Sequence, residues 1–232
     1  VKLDIGLVKH LPLFADMADG DIEVMLSHAV SRRIAVGDAV FDQGSPASHF
    51  FLLLNGRLKV SQVTPQGEQV IVRMVNPGDL FGIAKALQRT DYPGTALCVS
   101  EAVALCWPMD LWSQMIEQNP RLAVTAMTAI GQRLQEAHTR IREISTEDVE
   151  RRVAHAVLRL SEQAGREEGD GLRIDFPITR QDIAELTGTT LHTVSRILSA
   201  WEGRGLVTGG RQKLLVRDVA RLRALAENEK SA

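Results

Sequence analysis

The stretch TRQDIAELTGTTLHTVSRILSAWEGRGLV, residues 179–207, decides the reading of the whole chain. Thr179 or Arg180 opens a short helix with Ile183, Ala184 and Leu186 on one face. Gly188 ends it, at a place where a left-handed residue is cheap only for glycine. A second helix starts at once, with Thr189 or Thr190 as N-cap and Leu191, Val194, Ile197, Leu198 and Trp201 as its buried face. Small Ala184 lets the two helices approach closely, and Gly188 sets their angle. These offsets predict a helix-turn-helix, whose second helix enters the major groove of double-stranded DNA. The positions left exposed are Thr190, His192, Thr193, Ser195 and Arg196, with side chains that reach base edges and phosphates. Arg180, Gln181 and Thr190 are expected on phosphates, and Thr189 belongs to the same DNA-contacting set.

Charge is distributed to match. The formal net charge of the 232 residues is -2, yet residues 171–217 carry seven Lys/Arg against four Asp/Glu. Residues 1–110 carry nine against twelve. The basic half is thus the half that would meet a polyanion. Just beyond the reader, Leu206-Val207 and Lys213–Val216 flank Gly209-Gly210 as a hairpin or wing, and a last helix runs from Val219 to about Glu227, with frayed residues after it.

Upstream of the reader, residues 165–171 are charged and glycine-rich and read as a surface loop. Val149 to about Ala164 reads as a helix, and Ser145-Thr146-Glu147-Asp148 before it as a cap and hinge. Ala123, Met127, Ile130, Leu134, Ala137, Ile141 and Ile144 alternate by four and three, a heptad seam three repeats long. Such a seam predicts a parallel homodimer joined through Met127, Ile130, Leu134, Ala137 and Ile141, with its readers about one DNA turn, roughly 34 Å, apart.

The first half has another rhythm. Short helices over residues 7–28 give way from about Val30 to strand-length apolar runs such as Phe50–Leu54 and Val70–Val75. Glycines punctuate them at intervals of about ten residues, which fits a closed antiparallel jelly roll with room for one ligand. The fold class is therefore α+β: a jelly-roll sensor domain over 1–118, a dimerisation helix over 119–145 and a winged helix-turn-helix over 146–232. No run of 18 apolar residues and no basic-then-apolar leader occurs, so a cytoplasmic protein is expected, with no membrane partner. Cys98 and Cys106, eight apart in an apolar stretch, read as buried thiols.

Barrel, long helix and winged reader together resemble the Crp/Fnr family of bacterial transcription regulators, over nearly the whole chain. The most specific carriers are TRQDIAELTG and TVSRIL in the reader and NPGDLFG, residues 76–82, in the barrel. The resemblance implies a homodimer that binds a signal in the barrel, reorients its readers through the long helix and occupies palindromic promoter sites, with RNA polymerase as a further partner. It implies a ligand pocket at Phe81, Gly82, Ile83, Gly94 and Thr95. Members that bind cyclic AMP carry a glutamate after the barrel glycine and an Arg-Ser pair about a dozen residues on. Here Ile83 and Gly94-Thr95 stand at those places. A buried cyclic phosphate without a cation is costly, and of nearby residues only Arg89 offers a substitute. Cyclic AMP is therefore not the expected signal.

With no cysteine before Cys98, iron–sulfur ligation is excluded. The barrel stretch is most similar to denitrification regulators that respond to nitric oxide, which implies haem as sensor, with His10 and His49 as candidate axial ligands. Covalent haem is excluded, since there is no Cys-x-x-Cys-His. A metal-holding cupin enzyme would need His-x-His, which is absent, and no nucleophile–base pair can be placed. No enzyme activity is expected. The alternatives are a constitutive regulator of the same build without a ligand, and a cyclic-nucleotide binder with an atypical pocket.

Overall fold

Glycine turns and β-branched runs shape residues 30–108, and helical periodicity takes over from there. The structure is a computed structural model that describes residues 4–15 and 17–227. A 3-10 turn at Ile5–Leu7 and helix α1 (Asp19–Ser27) come first. Six strands follow: β1 (Val30–Ile34), β2 (Ala39–Phe41), β3 (His49–Val63), β4 (Gln69–Val75), β5 (Leu80–Phe81) and β6 (Thr95–Pro108). They form one sheet in the order β1-β6-β3-β4, with β2 on β6 and β5 on β3. Among the described residues the hydrogen-bonded path ends at β1 and β4, so the pairing itself is not closed. All six strands still turn side chains into one core, with Ile34, Val40, Phe51, Val75, Phe81 and Ala96 one from each, as expected of a jelly roll.

The folding happens along β3 and β6, whose register shifts repeatedly between Leu53 and Leu58. Gly56 sits in that bend at φ +82, and a Cβ there would lie 2.3 Å from the Glu101 carbonyl oxygen. Only glycine allows the two strands to cross so closely. Side chains alternate across the pleat. Phe50 and Leu52 join one core with Leu13, Phe14, Ile22, Met25 and Trp107, whereas Phe51 and Leu53 join another with Leu58, Phe81 and Tyr92. This is why Phe50–Leu54 is apolar without a break: both faces of the sheet are covered.

Cys98 and Cys106 are free, buried thiols. Burial raises both above the ordinary thiol range, and the Cys98 Sγ donates to the Ser100 carbonyl at 3.0 Å.

Helices α2 (Trp112–Gln118), α3 (Pro120–Thr146) and α4 (Val149–Ala164) lead into the second half. Asp148 caps α4 by accepting from the Arg151 amide at 3.0 Å, at the hinge expected between the two long helices. Then come β7 (Gly165–Glu168), β8 (Gly171–Ile174), α5 (Arg180–Thr187), α6 (Leu191–Gly203), β9 (Val207–Gly210), β10 (Lys213–Val216) and α7 (Val219–Glu227). The residues expected to fray lie outside the described ones. The segment 165–171, expected as a loop, is instead a hairpin in a four-stranded sheet ordered β7-β8-β10-β9. All four residues of β7 are exposed and three are charged, so no alternation betrays it. Backbone pairing holds it, and Gly171 fits where a Cβ would lie 2.4 Å from the Val216 carbonyl oxygen.

By packing, the chain divides into two units, residues 1–68 with 72–136 and residues 69–71 with 137–232.

Candidate DNA-reading surface and sensor cavity

The reader forms as its letters dictate. Thr179 caps α5, its hydroxyl accepting from the Asp182 amide at 3.0 Å, while Asp182 Oδ2 accepts from the Thr179 amide at 2.9 Å. This capping box fixes where α5 begins. Gly188 closes α5 at φ 63. Thr190 caps α6, accepting from the Thr193 amide at 3.2 Å. Ala184, Val194, Leu198 and Trp201 are buried, and the Trp201 indole donates to Glu150 Oε1 at 2.8 Å. Replacing Thr179 by alanine removes the cap at the start of the reader. The expected cost is about 1 kcal/mol of unfolding free energy, measured as a lower midpoint in urea with an unchanged slope. An unchanged midpoint overturns that role.

Leu191 departs from the expectation. It is 48% exposed, not buried. As the first residue of α6 it lies ahead of the turn that packs on α5, so the apolar stripe starts at Val194. His192 and Arg196 are exposed, and neither makes an ion pair or hydrogen bond among the described residues. Thr193 and Ser195 are half-buried, and Thr189 donates its amide to the Ala184 carbonyl at 3.1 Å. The Thr190 and Thr193 hydroxyls share a hydrogen bond of 2.9 Å. Arg180 lies 3.5 Å from Glu202, and Gln181 donates to Glu185 at 3.0 Å. Both bonds are solvent-facing and weak enough to yield to a phosphate. The wing is the hairpin β9–β10, turning at Arg211-Gln212 with Gln212 at φ 62.

On α3 the heptad row divides. Ile130 packs against the core of the first unit, which takes Leu122 and Ala126 from beside the row. Met127 is 63% exposed, Leu134 57%, Ile141 62% and Ile144 53%. Ala137, between them, is exposed as well. A single chain thus leaves an apolar row uncovered along the helix.

The sheet of the first unit encloses a cavity of about 210 Å³. Phe81, Gly82, Ile83 and Gly94 line it as expected, but Thr95 does not. The Thr95 hydroxyl turns instead to accept from the Gln43 amide at 3.0 Å. Arg89, the substitute cation the sequence offers, pairs with Asp91 at 2.9 and 3.0 Å and is not in the lining. At Gly94 a Cβ would sit 2.7 Å from the Ser61 carbonyl oxygen, so the position has no room for the arginine of cyclic-AMP binders. Gly82, at φ +67, brings the backbone against the Phe51 ring, where a Cβ would lie 2.8 Å away. Phe41 stacks on Tyr92 at 3.9 Å between centroids and tilts toward Phe81 at 6.2 Å. The Tyr92 hydroxyl donates to the His49 carbonyl at 2.7 Å, and burial raises its pKa.

Among the lining residues that sequence reasoning missed are the two charged ones, Arg73 on β4 and Arg133 on α3. Arg133 donates Nη2 to the Leu80 carbonyl at 3.0 Å, while its Nε and the Nη2 of Arg73 are buried without a hydrogen bond. An unsatisfied buried donor costs roughly 1–3 kcal/mol. Desolvation, reinforced by the neighbouring Arg73 charge, lowers the Arg133 pKa to about 10. Burial lowers the Arg73 pKa as well, and a guanidinium keeps its proton in proteins.

A haem does not fit this cavity. Neither His10 nor His49 is in the lining, which offers no imidazole or thiolate to iron. His10 is exposed in the N-terminal turns, and the His49 Nδ1 is bonded to the Ser48 hydroxyl at 2.9 Å. The volume falls below the roughly 300–1,000 Å³ of ordinary ligand pockets, small even before a macrocycle is considered. Among the described residues there is no cluster of three or more His, Cys, Asp or Glu fit to hold a metal.

Two family models match the two halves. A cyclic nucleotide-binding domain covers residues 31–119 and a Crp-like helix-turn-helix domain residues 151–225. The chain belongs to the Crp/Fnr family of transcription regulators. It is 28% identical over 219 residues to the cyclic AMP receptor protein of Thermus thermophilus, covering 94% of this chain and 98% of that one. It is 25% identical over 186 residues to a CRP-like cAMP-activated global transcriptional regulator of Mycobacterium tuberculosis, covering 80% and 83%. The structure of FixK2 from Bradyrhizobium japonicum superposes with a TM-score of 0.73 at 19% identity, covering 88% of this chain and 98% of that one, a likeness of fold. This regulator is therefore a DNA-binding protein and not an enzyme. No described helix is long and apolar enough to cross a membrane.

Proposed function

We propose that this regulator works in the cytoplasm as a parallel homodimer on a palindromic promoter site in double-stranded DNA, controlled by a small molecule in the sheet cavity, with RNA polymerase as its downstream partner. The observation that carries the reading is α6, whose first turns leave Leu191, His192 and Arg196 exposed on a rigidly capped and packed helix. The uncovered row on α3 supports the dimer, since one helix from each of two copies covers the other's. Cyclic AMP is not the signal proposed: Ile83 and Gly94 replace the groups that would take ribose and phosphate, and Gly94 is too confined to be replaced. A route through haem to nitric oxide has no support in the cavity, whose lining holds no histidine or cysteine. Selection of the full-length protein on randomised duplexes tests the reading. Two inverted half-sites about one helical turn apart are expected. A single unrepeated motif, or none, overturns the dimeric reader.

A further inference from the structure

Two cations are built into a mainly apolar cavity. Arg73 enters it from β4 and Arg133 from α3, and each carries one buried N–H group that finds no acceptor, Nη2 on Arg73 and Nε on Arg133. Buried guanidinium groups are rarely left unmatched without a role. Asp79 and Glu136 lie within electrostatic reach of both arginines, yet neither forms an ion pair with them among the described residues. Asp79 Oδ2 is committed to the Asn76 amide at 2.9 Å. The rest of the wall is mainly rings and aliphatic side chains, Phe41, Phe81, Tyr92, Val72 and Leu87 among them, with Gln62 as a further polar side chain.

We infer that the cavity takes a small carboxylic acid with an aromatic or branched apolar body, whose carboxylate bridges Arg73 and Arg133 while the body packs on the Phe41–Tyr92 wall. The inference rests on the proposal that a signal enters this cavity. It adds the chemical class. Two guanidinium groups in one lining offer charge-assisted donors to the two oxygens of one carboxylate. A phosphate carries more charge and more acceptor sites, and the further polar side chain of the lining, Gln62, already donates its Nε2 to the Pro93 carbonyl at 2.9 Å. The volume of about 210 Å³ is that of about seven waters at their share of the liquid, which sets the scale of the acid.

The test titrates the full-length protein, by calorimetry, with benzoate, phenylacetate and isovalerate, and with benzamide and phenylacetamide as neutral counterparts of the two aromatic acids. The expected result is binding of acids at least tenfold tighter than of the matching amides. Arg73→Met should lose that preference and the acid-induced rise in melting temperature. Its own melting temperature without ligand should equal or exceed the wild type's, because an unmatched buried charge has been removed. A purely structural arginine predicts the opposite shift. Arg133→Gln, with a polar group left near the Leu80 carbonyl, serves as the second variant and should also lose the acid. Equal binding of acids and amides, no binding by any of the three acids, or retained acid affinity in Arg73→Met overturns the inference. DNA binding followed by fluorescence anisotropy separates it from the wider reading. An amide that binds and changes DNA affinity leaves a cavity signal in place and removes only the acid. No cavity binding together with unchanged DNA affinity removes both.

Discussion

The double variant Met127→Glu, Leu134→Glu is expected to sediment as a monomer and to bind its operator about 10²–10⁴-fold more weakly than the wild type, the scale of a lost second half-site. Both side chains are more than half exposed on the single chain, one heptad apart on α3. Covering a Leu or Met side chain contributes about 1.5–3 kcal/mol, and a symmetric seam gains this twice per position. Glutamate in the same rows reverses the balance. Four carboxylates would meet along the axis with no cation assigned to them, and burying unpaired charge costs several kcal/mol. The chain itself should stay folded, because neither side chain belongs to the buried core of its own unit. Unchanged helical circular dichroism would establish that. A dimeric double variant with full operator affinity would place the dimer contact somewhere other than this row.

The reader was legible because its determinants are local. A capping threonine, a glycine with positive φ and a stripe at helical spacing lie within twenty residues and need nothing else to be recognised. Leu191 marks the limit of that logic. Its letter and spacing fit the stripe, but a stripe cannot say where along a helix the neighbouring core stops. The jelly-roll pattern was legible in the same way, through glycine turns and strand-length runs. Closure was not, because an open or closed path depends on which edges meet, and no single strand encodes that.

The cavity was half legible. NPGDLFG delivered Phe81, Gly82 and Ile83 because a turn motif and the wall it builds are contiguous. Arg73 and Arg133 come from different elements sixty residues apart, and only the packing of α3 on the sheet brings them to one cavity. A signal for Arg73 did exist. It is the one charge inside Val70–Val75, a run otherwise apolar, and a charge in such a strand needs a reason. Thr95 failed for a related cause. Gly94, just ahead of β6, stays in the lining while Thr95, the first residue of β6, bonds to Gln43, so a pair borrowed from a family pattern splits.

Arg196→Ala is expected to cost ~1–3 kcal/mol per half-site and to erase preference at one base pair while leaving the rest of the motif. Arg196 is exposed on α6, one turn beyond His192, and no carboxylate among the described residues holds it back. A free, planar guanidinium matches guanine O6 and N7 with two parallel bonds. In the family the residue four before this arginine is a glutamate, which accepts from cytosine. Here it is His192, which cannot accept as a carboxylate does. The guanine should therefore stay specified and the base pair read by the glutamate should relax or change. Exposed Leu191, at the tip of the same helix, adds an apolar surface suited to a thymine methyl group. Arg180→Ala should behave differently. An arginine at the start of α5 that holds a phosphate supports every sequence equally, so its loss should weaken all sites alike and make binding less sensitive to salt. Selection from randomised half-sites, run in parallel on wild type and both variants, separates the roles. A motif that Arg196→Ala leaves unchanged would mean that another face of α6 enters the groove.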